Sequence, residues 1–183
     1  MSIIFKPLEQ KELPEFRTDV KRIFSIAVIE TFGEPENEDD IIISDDIVNE
    51  SLLNPLCEAF SIYEGREKVG GVVLKIDRDT WHNEAEILYI YPEKHGRGLG
   101  QKVWRAIEQK YPQTKVWRLI TPYFEKRNIH FYVNKCGFRI VEFFNKAHRH
   151  PEWSPSALDF HDEFFVFEKI MSLLSGKSSG RLL

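Results

Sequence analysis

The sequence predicts a single α+β domain with a mixed central sheet flanked by helices. Three observations predict it. Apolar residues recur at helical spacing near the N-terminus, run at strand spacing through residues 58–91, and return to helical spacing from Leu99 onward. A strand meander followed by alternating helix and strand places antiparallel and parallel neighbours in one sheet. The length, 183 residues, is that of about one domain and is enough to bury a core.

Each element has its own signal. Phe16, Val20, Ile23, Phe24, Ala27 and Val28 form the first helical stripe, with Pro14 suited to a first turn and Gly33 and Pro35 as stops. An acidic stretch follows over 34–46, interrupted by Ile41, Ile42 and Ile43. Ser44 or Asp45 caps a second, short helix that ends before Pro55. Strands at 58–63 and 69–76 flank a hairpin turn, Glu64-Gly65-Arg66-Glu67. A turn over 77–83 leads to a third antiparallel strand at 84–91. The period then changes: Leu99, Val103 and Ile107 mark a helix that opens at 96–100 and stops before Pro112. A strand at 116–121 and a helix at 128–135 follow, with Gly137 at the C-terminal break. Residues 139–144 and 160–169 read as the last two strands. The domain is expected to span 1–171, and 172–183, with Ser-Gly-Lys-Ser-Ser-Gly-Arg, reads as a flexible tail.

Composition excludes several classes. The net charge of −4 offers no basic surplus for nucleic acid or an anionic membrane. Cys57 and Cys136 stand far apart with no CxxC pair, so neither a disulfide framework nor a zinc ribbon is expected, and a cytoplasmic setting is. No apolar run approaches the roughly 18 residues of a membrane span. Oligomeric state is left open, a homodimer included.

The chemistry concentrates at His95-Gly96-Arg97-Gly98-Leu99-Gly100, between a strand and a helix. In that setting glycines let backbone amides close on phosphate. A P-loop needs Gly-Lys-Ser/Thr, but Gln101-Lys102-Val103 follows; a dinucleotide fingerprint needs glycine where Gln101 stands. What is left is an anion cradle at a helix N-terminus, helped by Arg97 and Lys94, or a glycine-rich connector with no ligand.

The wider segment Ile90-Tyr91-Pro92-Glu93-Lys94-His95-Gly96-Arg97-Gly98-Leu99-Gly100 resembles the central motif of the GNAT superfamily of N-acetyltransferases. That motif is a strand ending in apolar-x-Pro, then Gln/Arg-x-x-Gly-x-Gly/Ala. A second segment, Asn128-Ile129-His130-Phe131-Tyr132-Val133-Asn134-Lys135-Cys136-Gly137-Phe138, is similar to the family's Asn-helix-Phe-Tyr-x-x-x-Gly-Phe. The resemblance covers about 60–144, and His95 departs from it by standing where Gln or Arg is usual. A neutral imidazole brings less charge to a pyrophosphate than Arg does.

The resemblance implies acetyl-CoA as acetyl donor, an amine as acceptor and no metal. The strand at 84–91 would splay from its parallel neighbour at 116–121 and admit the pantetheine arm, bound by backbone near Ile90. The amides of Gly96, Arg97, Gly98, Leu99 and Gly100, with His95 before them, would hold the pyrophosphate. Asn128 would contact the pantetheine arm or the adenosine side. Transfer needs a neutral amine, a donor to the oxyanion and a proton for the leaving thiolate. Tyr132 matches the helix tyrosine that supplies that proton; the alternative is a core aromatic beside Phe131. Glu84 stands where histone-type members carry their catalytic glutamate. Alternation puts Glu84 and Glu86 on one strand face with Leu88 and Ile90, as a base or as a solvated face.

The resemblance also implies that the acidic stretch borders the acceptor pocket, where its charge would favour a cationic acceptor; the alternative is a solvated loop that only keeps the chain in solution. His148 and His150, with His161, Asp162 and Glu163, are set aside as a metal site because Pro151 and Pro155 mark a loop and no cysteine joins them. Trp81, Trp104, Trp117 and Trp153 read as core or pocket wall rather than as a stacking platform. A non-catalytic acyl-CoA sensor or scaffold of the same fold is the competing reading.

Overall fold

In the computed structural model, which describes residues 2–34, 45–151 and 163–172, the chain begins with a strand, β1 (Ile3–Pro7). It continues through α1 (Leu13–Phe32), α2 (Asp45–Leu53), β2 (Cys57–Glu64), β3 (Glu67–Lys75) and β4 (His82–Ile90). Then come α3 (Leu99–Lys110), β5 (Val116–Pro122), α4 (Lys126–His130), a π-helical turn (Phe131–Cys136), β6 (Arg139–Phe144) and β7 (Phe164–Ile170). The strands form one seven-stranded sheet in the order β1-β2-β3-β4-β5-β7-β6, antiparallel throughout except for the parallel pair β4–β5. The mixed α+β sheet expected from the sequence is present, with β1 in addition. Most of the acidic stretch (35–44), Trp153, His161, Asp162 and the tail beyond Ser172 lie outside the described residues.

Helices cover both faces. Phe16 and Val20 of α1 and Val48 of α2 pack on Val73, Ile87 and Tyr89. On the other face Leu99, Val103, Trp104 and Ile107 of α3 pack on Ile62, Val72, Leu74, Trp117 and Phe167. Gly71 lets the first layer close: a Cβ there would stand 2.5 Å from the Phe16 ring and 2.7 Å from that of Tyr89. Both rings are buried and cannot swing aside. Gly71→Ala is therefore expected to destabilise the fold by about 1–3 kcal/mol, the range for overpacking, read as a lowered urea midpoint at unchanged slope.

Two local irregularities shape the middle of the sheet. Val73 faces Ile87 and Leu74 faces Ala85, so Glu86 is the extra residue of a β-bulge. Ala85, Leu88 and Ile90 consequently pack on the α3 side, while Ile87 and Tyr89 pack on the α1–α2 side. Strict alternation, which placed Leu88 and Ile90 on the face of Glu84 and Glu86, fails here because the bulge shifts the phase by one residue. The β4–β5 pairing consists of His82–Val116, Asn83–Trp117 and Glu84–Arg118 and ends just before the bulge. A bulge bends its strand and raises the local twist, which carries the rest of β4 away from β5.

The second irregularity follows α4. Four residues, Val133 to Cys136, separate Tyr132 from Gly137, one more than in the Phe-Tyr-x-x-x-Gly-Phe pattern. The π turn absorbs the extra residue: the Gly137 amide bonds back to the Tyr132 carbonyl, and so does that of Phe138 at 3.0 Å. Gly137 ends the turn in the left-handed region, at φ 80°.

Candidate active site

A cleft of about 550 Å³ opens where β4 and β5 part. Leu88, Tyr89 and Ile90 form its β4 wall, the glycine loop and the start of α3 its floor, and Asn128, Phe131 and Tyr132 its opposite wall. Ile23, Ala27 and Glu30 of α1 close the remaining side.

The glycine loop presents amides to this cleft. Gly98 caps α3 at φ 70°, ψ 11°, and Gly96 has φ 87°, values in the left-handed region that glycine adopts without a Cβ penalty. The first amide of the helix to bond back is that of Lys102, to the Gly98 carbonyl at 3.1 Å. The amides of Leu99, Gly100 and Gln101 precede it and have no intrahelical partner. They point out at the positive end of the helix dipole, which favours an anion. Side-chain charge is more limited. Lys94 pairs with Glu67, and Lys102 lies 3.1 Å from Glu64. Arg97 is exposed, in no ion pair among the described residues, and outside the cleft lining.

His95 turns inward. Its Nε2 lies 2.8 Å from the Ile90 carbonyl oxygen, an acceptor only, so this nitrogen carries the proton. Burial pushes its pKa down, as does Arg127, against the Ile90 hydrogen bond and Glu93. The ring is thus neutral and ties the loop to the end of β4. Of the residues expected at the donor, Ile90, His95, Gly96, Gly98, Leu99, Gly100 and Asn128 all line the cleft.

Tyr132 also lines it and is 8% exposed. Its ring packs among Trp104, Phe138 and Phe167 at centroid distances of 6.4, 5.6 and 5.9 Å. Its hydroxyl has no hydrogen-bond partner among the described residues. Burial, then the neighbouring Cys136 and Glu125, push its pKa well above the ordinary phenol value, so it holds its proton.

Glu84 and Glu86 do not join this group. Both lie on the α2 side of the sheet, outside the cleft lining. Lys75 Nζ is 3.1 Å from Glu84, and the Ser51 hydroxyl donates to Glu86 at 3.5 Å. Burial and the adjacent Glu84 raise the pKa of Glu86. The carboxylates that do line the cleft are Glu30 and Glu125, neither singled out from the sequence. Glu125 directly precedes α4, and burial raises its pKa; Arg127 opposes that shift and Glu30 adds to it. Phe32 meets Phe124 edge to face at 5.3 Å, joining the end of α1 to the connection that carries Glu125.

The remaining candidates lie elsewhere. Cys136 is buried and its thiol is pushed up to about 12, chiefly by burial, so it is no nucleophile. Trp104 and Trp117 are core residues packed edge to face. His148 stacks on Phe144 and lies 3.0 Å from Glu142. Among the described residues no helix is long and apolar enough to cross a membrane.

Comparison with known proteins agrees with this geometry. The sequence profile of the acetyltransferase (GNAT) family matches residues 16–138. Over 175 residues the chain is 44% identical to the uncharacterised protein YrkN of Bacillus subtilis (strain 168), covering 92% of this chain and 94% of that one. Among solved structures, an acetyltransferase from Thermus thermophilus superposes with a TM-score of 0.64 at 15% identity, over 93% of this chain and 98% of that one. Spermidine N-acetyltransferase from Vibrio cholerae, in complex with CoA and spermine, gives 0.61 at 15% identity, over 92% and 95%.

Proposed function

Because the chain belongs to the acetyltransferase (GNAT) family, we propose that it takes the acetyl group of acetyl-CoA and transfers it to a primary amine of a small molecule or protein. The observation that carries this reading is the convergence of three features on one cleft. Two parallel strands part there, the free amides of a helix N-terminus face into it, and Tyr132, a buried residue whose hydroxyl has no partner among the described residues, lines it. The parted edge of β4 beyond Glu84 suits the amides of a pantetheine arm, and the loop amides suit its pyrophosphate. A side chain at Gly96 or Gly98 would project into open space rather than into protein.

The acceptor side favours a cation. Glu30 and Glu125 put negative charge at the α1 end of the cleft, and Ile23 and Ala27 offer apolar surface beside it. An ammonium-bearing chain, as in the spermine held by the Vibrio cholerae relative, matches that combination. The acidic stretch at 34–46 adds charge of the same sign next in sequence after α1.

The test is a panel of amines incubated with acetyl-CoA and read by release of free thiol, with mass spectrometry of the product. Acetylated product from a cationic primary amine is expected, at a rate that rises with pH across the neutral range as the amine is deprotonated. Donor binding without thiol release from any amine would instead describe an acyl-CoA sensor.

A further inference from the structure

We propose that Glu125 accepts the proton of the incoming amine and that Glu30 and Glu125 together receive its ammonium group, an assignment that rests on the acetyltransferase reading above. Glu125 is rigidly placed. Its amide bonds to the Pro122 carbonyl at 3.1 Å, and its carbonyl accepts from the Ile129 amide at 3.0 Å. Its side chain is half-buried in the cleft wall, on the same short segment that supplies Asn128 and Tyr132. Glu30 reaches the cleft from α1, seven residues after Ile23 and three after Ala27, which places all three on one helical face. The Phe32–Phe124 contact fixes that end of α1 against the connection bearing Glu125.

The charges facing Glu125 come from three elements. Arg127 of α4 favours the carboxylate, Glu30 of α1 disfavours it, and Tyr132 of the π turn lies within its electrostatic reach as a neutral phenol. Burial together with Glu30 makes Glu125 a stronger base than an exposed glutamate. Glu84 and Glu86 have no such access, being held on the α2 side with Lys75 and Ser51. Acid and base then share one cleft. Glu125 takes one proton from the ammonium and passes it to solvent. The freed nitrogen lone pair forms the bond to the acetyl carbon. The carbon–sulfur bond breaks with its electron pair on sulfur, which takes the Tyr132 proton. The second proton of the nitrogen restores the Tyr132 hydroxyl, so amide, free thiol and one solvent proton result.

The experiment compares wild type, Glu125→Gln and Glu30→Gln with two acceptors, spermidine and hydroxylamine. Spermidine is protonated at neutral pH and needs a base, whereas hydroxylamine is already neutral. Glu125→Gln is expected to lose at least about 100-fold in kcat with spermidine and to stay within about three-fold with hydroxylamine. Calorimetric affinity for acetyl-CoA should be unchanged. Glu30→Gln removes a charge that adds to burial in raising the Glu125 pKa, so the acid limb of kcat/KM should move to lower pH. Carbon-13 NMR of the Glu125 carboxyl in the free protein should titrate above ordinary glutamate and fall in Glu30→Gln, independently of turnover. Equal loss, or no loss, with both acceptors in Glu125→Gln overturns the assignment and leaves the acetyltransferase reading standing. Wild type active on hydroxylamine alone overturns the ammonium site. Wild type inactive toward both overturns the ammonium site and the base with it, while the acetyltransferase reading is decided by the wider amine panel.

Discussion

Gly98→Glu should abolish acetyl-CoA binding in a protein that still folds. Two effects act at this position and can be separated. The backbone at φ 70°, ψ 11° costs a side-chain-bearing residue about 1–2 kcal/mol, a loss that a domain of ordinary stability survives. A Cβ there meets nothing within 4 Å, so no steric clash adds to the strain. The glutamate carboxylate, however, would sit where the free amides of Leu99, Gly100 and Gln101 face the cleft and would compete with the donor's pyrophosphate for them. Gly98→Ala carries the strain without the charge and should retain most of the affinity. Calorimetry on both variants, with circular dichroism to confirm folding, decides the matter. Unchanged affinity in a folded Gly98→Glu would remove the loop from the donor site.

The glycine loop was legible because its function depends on backbone. Left-handed φ values and close approach demand glycine, and glycine is visible in a sequence. The same holds for the α3 stripe of Leu99, Val103 and Ile107, whose period survives any tertiary context. What stayed hidden depends on registers that no periodicity records. Strand β1 has five residues at a sheet edge, too few for alternation to stand out, and its partner β2 fixes it. The bulge at Glu86 is one residue long, yet it decides that Leu88 and Ile90 face α3 and that β4 leaves β5. The π turn is likewise a single extra residue before Gly137. Glu125, placed just before a helix, reads as a charge complementing the helix dipole. Its place in the cleft follows only once β5 and α4 are positioned. Glu30 did carry a signal, since Ile23, Ala27 and Glu30 share one face of α1, but a glutamate ending an apolar stripe resembles the stripe's solvent margin.

Tyr132→Phe separates the two things this side chain does. Its ring is core, packed edge to face or tilted against Trp104, Phe138 and Phe167, and phenylalanine keeps all of those contacts. Its hydroxyl is what the mutation removes. That group has no partner to orphan among the described residues and opens to the cleft rather than being sealed in the core, so the midpoint of thermal unfolding should stay near that of wild type. Catalysis should fall. The strongly raised pKa keeps the phenol protonated through the neutral range, as a donor to a leaving thiolate requires. Loss of that proton is expected to lower kcat on the order of 100-fold while acetyl-CoA affinity stays near that of wild type. A structural defect would lower stability and activity together, so loss of activity at unchanged stability is the signature of a proton donor. If kcat remains within about two-fold of wild type, the hydroxyl is idle and Tyr132 serves the cleft wall through its ring alone.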